Sequence, residues 1–102
     1  MSKRHNITAI IYDRKGKILS IGKNSYIKTH PMQAKFAAQV GEAYKVFLHA
    51  EIHAITRCKK LSKAYSMTIT RFNEDGSPAL AKPCKICNSA LKFSGIKFVR
   101  HT

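Results

Sequence analysis

Two short clusters carry the residue types that hold zinc and move protons: His49-Ala50-Glu51 and Pro83-Cys84-Lys85-Ile86-Cys87. Cys84 and Cys87 stand at i and i+3, so on a helix both sulfurs share one face and reach one ion. A helix start favours anions, which lowers thiol pKa values and promotes the thiolate that zinc needs. His49 adds a neutral nitrogen. One imidazole and two thiolates make three ligands, and zinc held by three protein groups keeps its fourth position for water, the arrangement of catalytic sites. Glu51 has no evident structural use, and a carboxylate beside an activated water is the proton shuttle of a hydrolase.

Glu51 lies two residues after His49, so inside a regular helix the two would point about 200° apart. His49 is therefore expected at or before the first turn, where both side chains can face the ion. Other readings account for parts of the pattern. A Cys-x-x-Cys redox pair uses Cys84 and Cys87 but leaves His49 and Glu51 unexplained. A closed structural site needs a fourth ligand. Cys58 is nine residues beyond His49, about 13.5 Å along a helix and too far. His53, four residues on and on the same side, is the better rival, although a histidine near the core explains it equally. The metalloprotease spacing His-Glu-x-x-His is absent.

The elements that must position these groups follow from pattern. Ile7 to Tyr12 is a β-branched and aromatic run, Asp13 to Lys17 a turn with Gly16 at its tip, and Ile18 to Ile21 the returning strand of a hairpin. After a loop from Gly22 to Thr29, Pro31 opens a helix through Val40, with Met32, Phe36 and Val40 on one side and Gly41 as the stop. A second helix starts near His49, with Leu48, Ile52, Ile55 and either Cys58 or Lys59 repeating at helical spacing along its apolar face. Ser66 to Phe72 alternates as a strand, and Asn73 to Pro78 is a turn cluster. Pro83 begins a third helix whose buried side is Ile86, Ala90 and Phe93 and whose C-cap is Gly95. Ile96 to Val99 is a last short strand. The order β-β-α-α-β-α-β reads as one α/β domain over residues 1–102, with helices covering a small sheet.

The chain of 102 residues carries a net charge of +14, from nineteen Lys and Arg against five acids. So basic a chain gathers polyanions or phosphate-bearing ligands in a salt-dependent manner. The charge is spread along the sequence, so a soluble lysine-rich surface is an equal reading. Tyr26, Tyr44 and Phe47 are scattered and form no evident stacking platform. With 44% apolar residues the chain can fill one modest core. No stretch suits a membrane span or a signal peptide, and three cysteines fit a reducing cytoplasm.

The motifs in this order resemble the cytidine deaminase superfamily, whose zinc signature is His-x-Glu followed by Pro-Cys-x-x-Cys. His49-Ala50-Glu51 and Pro83-Cys84-x-x-Cys87 match it, and the likeness covers the chain from the first strand to the last. The resemblance implies a three-layer α/β/α sandwich with a small mixed sheet, and zinc on His49, Cys84 and Cys87. It also implies Glu51 as the catalytic proton shuttle and a place in nucleotide metabolism. Gly22-Lys23-Asn24 is similar to an element of the family that sets Asn24 against the sugar, though Asn24 also suits a turn. The backbone N–H of Ala50 would meet a ring oxygen.

The chain departs from relatives in three places. Lys82 precedes the Pro-Cys where they carry Ser, Thr or Glu. Their leading helix is missing or replaced by residues 31–40. The chain ends after its fourth expected strand, leaving a sheet edge that a homo-oligomer would cover. The leading expectation is deamination of cytosine to uracil in a phosphate-bearing nucleotide or nucleoside such as deoxycytidylate or cytidine. The alternatives are cytosine or adenine deamination within single-stranded DNA or RNA, and a non-catalytic, basic, zinc-stabilised nucleic-acid-binding module.

Overall fold

A computed structural model describes residues 6–25, 28–42, 48–81 and 83–102. Tyr26, Tyr44, Phe47 and Lys82 lie outside the described residues. Strands β1 (Asn6–Tyr12) and β2 (Ile18–Lys23) form the expected hairpin. Its turn is held by Asp13, whose Oδ1 accepts the N–H groups of Lys15 and Lys17, each at 2.9 Å. Gly16 supplies the left-handed residue, with φ 84°.

Helix α1 (Pro31–Gln39) opens on Pro31, which needs no N–H there, and the His30 Nδ1 accepts the Met32 N–H at 3.0 Å. The sequence pattern had not marked that cap. Val40 caps the other end, and Gly41 follows at φ 76°. Helix α2 (Ala50–Arg57) buries Ile52, Ala54 and Ile55, and β3 (Ser66–Phe72) turns Met67 and Ile69 inward. Helix α3 (Lys85–Ser94) ends on Gly95 in the left-handed conformation.

The sheet is mixed, in the order β2-β1-β3-β4 (Pro78–Ala79), with β5 (Phe98–His101) beside β3. Strand β1 runs antiparallel to both of its neighbours, β2 and β3, whereas β5 runs parallel to β3. Two expectations shift here. Pro78, read as the end of a turn, opens the two-residue strand β4 against Arg71 and Phe72, and proline is tolerated because the strand lies at an edge. The last strand begins at Phe98, not Ile96, because the chain leaving α3 first donates the Lys97 N–H to the Tyr65 carbonyl at 2.9 Å.

Ala9, Ile11, Met67 and Ile69 join the buried side chains of all three helices in one core. Helix α2 packs on β1 and β2, and α1 and α3 pack on α2 and on each other. The helices thus share one face of the sheet. No helix among the described residues covers the opposite face, where Thr8, Ile10, Thr68 and Thr70 are half-buried and Ile21 is exposed.

Phe93 corrects the expected core of α3. It is 62% exposed, because the buried stripe is Ile86, Cys87, Ala90 and Leu91 and Phe93 falls at its margin. Its ring instead tilts on Phe36 at 5.7 Å, with the Lys35 ammonium 5.3 Å from the ring centre.

Candidate metal centre

Two contacts set α2 at a fixed height on the sheet. Gly22 of β2 sits directly beneath it: a Cβ there would collide with the Ala54 N and the Ala50 carbonyl oxygen, and would stand 2.7 Å from the Ala54 Cα. Beside it the Ser20 hydroxyl donates to the Ala54 carbonyl at 2.7 Å. Together they place the first turn of α2, and so the residue before it.

That residue is His49, with extended backbone at φ −81° and ψ 153° as the N-cap of α2. It stands outside the helix, as the two-residue spacing to Glu51 requires. Its N–H donates to the Oε1 of Gln33 at 3.1 Å, and Gln33 is fully buried in α1. The sequence reading had missed Gln33. Its signal was a polar residue at i and i+3 with Phe36 on a helix whose apolar side is otherwise continuous. A buried glutamine needs a partner, and here the partner is a metal-ligand backbone.

Cys84 is likewise the N-cap of α3, and Cys87 lies buried in its first turn. The His49 Nδ1 is 3.3 Å from the Cys87 Sγ and 3.5 Å from the Cys84 Sγ. Ligands around a tetrahedral zinc, at about 2.0 Å for nitrogen and 2.3 Å for sulfur, stand roughly 3.5 Å apart. The three ligand atoms all lie within 4.8 Å of one another. His49, Cys84 and Cys87 are therefore positioned to bind a metal ion, and the donor set is that of zinc.

The two thiols differ in how readily they ionise. The Cys84 thiol is pushed down to about 3, first by the hydrogen bond from the Cys87 thiol and further by His49, against the opposing effect of burial. Cys87 is pushed well up, because it supplies that hydrogen bond and is itself buried. Glu51 is only 7% exposed, and burial raises its carboxyl above the ordinary value, partly offset by a hydrogen bond with Cys87.

Among the described residues, no fourth His, Cys, Asp or Glu belongs to the cluster. His53, the rival fourth ligand, is turned toward β2, with its Nδ1 3.0 Å from the Lys23 N. Cys58 is buried at the far end of α2 as its C-cap. Ala50 is the first residue of α2, where an N–H has no partner within the helical ladder. Asn24 follows β2, and its Oδ1 accepts the Ile7 N–H at 3.0 Å, so its oxygen ties the loop to β1.

The family model described as the cytidine and deoxycytidylate deaminase zinc-binding region matches residues 1–101. No curated protein matches the chain.

Proposed function

The chain belongs to the cytidine and deoxycytidylate deaminase family, and from that premise we propose that it converts cytosine to uracil in a phosphate-bearing nucleotide or nucleoside. The reaction breaks the bond from C4 to the exocyclic amine, forms a C4–oxygen bond from water and releases ammonia. When bound on His49, Cys84 and Cys87, zinc supplies a water whose pKa is lowered toward 7.

Glu51 moves the protons. Its carboxylate takes one proton from the attacking water and gives it to the ring nitrogen, then takes the proton of the new C4 hydroxyl and gives it to the departing amine. Burial keeps bulk water away from it, and its hydrogen bond with Cys87 holds it beside the ligand cluster. The Ala50 N–H, at the free start of α2, meets the ring oxygen, and Asn24 stands at the sugar. The observation that carries the reading is the juxtaposition of a three-member His-Cys-Cys cluster with a buried carboxylate two residues from its histidine.

A charge of +14 favours a second version, in which the base lies within single-stranded DNA or RNA. The outer edge of β5, which carries the exposed Val99, supports assembly into a homo-oligomer. No helix of the described residues is long and apolar enough to cross a membrane. The test is to incubate zinc-loaded protein with cytidine, deoxycytidylate, adenosine and a mixed single-stranded oligonucleotide, and to weigh the products. Conversion of the cytosine nucleoside or nucleotide supports the leading reading. Deamination of the oligonucleotide alone moves the function to the polymer, and no deamination of any substrate overturns both.

A further inference from the structure

A second concave site lies at the opposite end of the helical layer from the metal centre. Cys84 caps the first turn of α3 and Gly95 its last, and ten residues of helix between them span about 15 Å. Around Gly95, a cleft of about 480 Å³ is lined by Arg14, Lys15, Lys63 and Lys97, with Asp13 and Tyr65. Four cations face one carboxylate, and an oxygen of that carboxylate is engaged by the N–H groups of its own turn. Gathering like charges in one concavity raises the local positive potential and draws anions to it.

The cleft continues into an aromatic stack. The Arg14 guanidinium lies 5.4 Å from the centre of the Tyr65 ring, and Tyr65 packs on Phe98 at 5.2 Å with the rings tilted by 57°. Phe98 is 55% exposed. In the register of β3 and β5, Phe98 stands opposite Ser66 and Arg100 opposite Thr68. Both therefore lie on the sheet face that no described helix covers. The sequence runs basic cleft, exposed aromatic ring, then a further cation. An anionic peptide or a free phosphate would use the cations and have no need of the ring. Single-stranded nucleic acid uses both, since successive phosphates follow the cations while an unpaired base stacks on an aromatic face.

We propose that this cleft holds the sugar-phosphate backbone of single-stranded nucleic acid, through Lys63, Lys97, Lys15 and Arg14, with one base stacked on Phe98. The site is separate from the metal centre and goes beyond the deaminase reading. Its measure is binding, which needs no turnover, so the two can fail independently.

The experiment titrates zinc-loaded full chain into a fluorescently labelled mixed-sequence 12-nucleotide DNA strand and follows anisotropy between 50 and 200 mM salt, concentrations chosen to span about the usual range for such slopes. Lys63→Gln/Lys97→Gln is expected to reduce the slope of log K against log salt by about 1.4, at about 0.7 per lost phosphate contact on a single strand. Phe98→Ala, at an exposed position, is expected to weaken binding about fivefold or more. Lys35→Gln, on α1, controls for a simple loss of charge and is expected to leave the slope unchanged. The proposal is overturned if the double variant keeps the wild-type slope, if Lys35→Gln loses as much per lysine, or if Phe98→Ala binds normally. Displacement of the strand by millimolar inorganic phosphate at constant ionic strength, or tighter binding of duplex than of single strand, also overturns it.

Discussion

The buried Gln33 of α1 accepts the backbone N–H of His49 at 3.1 Å, so one helix fixes the zinc-ligating residue at the start of another. The contact holds the peptide, not the imidazole, and therefore sets where the ring starts from. Gln33→Leu keeps the volume and removes the acceptor. The expected cost is about 1–3 kcal/mol of stability, as for a buried donor left unsatisfied, together with weaker zinc binding. Denaturant unfolding and competition with a chelator measure the two effects. Unchanged zinc affinity in a folded variant would remove Gln33 from the site.

Gly22 and the backbone of α2 approach too closely for any side chain. Gly22→Ala should therefore push the first turn of α2 away from β2, at a cost of about 1–3 kcal/mol. Because His49 caps that turn, zinc affinity should fall with stability. Urea unfolding with and without added zinc checks both. An alanine variant as stable as wild type would mean that the helix sits higher on the sheet than described.

The Asn24 Oδ1 is occupied by the Ile7 N–H. Asn24→Ala should cost about 1 kcal/mol from that hydrogen bond alone. Asn24→Asp keeps an oxygen for Ile7, so it separates the turn from the substrate. A sugar contact predicts a raised KM in the aspartate variant with a smaller change in kcat. Normal KM in that variant assigns Asn24 to the fold only.

His53 packs against the Lys23 backbone, and burial lowers its pKa from the ordinary 6.5, against a smaller opposing effect of the Lys23 carbonyl, which accepts a hydrogen bond from the ring. The folded ring binds a proton less readily than the unfolded one, so its contribution is complete above about 6.5 and is lost as pH falls through the lower folded value. In thermal melts of zinc-loaded protein, the advantage of wild type over His53→Gln should shrink between pH 7 and 5. An advantage that grows on acidification contradicts this sign.

The metal centre was legible because its constraints are local. Two residues of separation on a helix place side chains about 200° apart, which was enough to put His49 outside α2, where it is found. Gly16, Gly41 and Gly95 marked three chain reversals by the one property that glycine has and other residues lack. What depends on distant partners was not legible. The pairing of Pro78–Ala79 with β3, the two-residue displacement of β5 and the packing of all helices on one face follow from tertiary contacts, not from periodicity. Phe93 shares the helical side of Ile86, yet the core ends before reaching it. Gln33 showed only as a polar residue on an apolar helix side, its partner being distant in the chain, and the stack of Arg14, Tyr65 and Phe98 joins residues too far apart to leave a sequence signature.

Glu51 is buried beside Cys87 and is not a member of the ligand cluster, so its removal separates metal binding from proton transfer. The direct measurement is ammonia release from the accepted cytosine substrate by Glu51→Gln, read alongside zinc content. Wild-type zinc content with turnover lowered about 10²-fold or more is expected. Full turnover in the folded, zinc-replete variant would contradict the assignment of Glu51 as the residue that moves the protons.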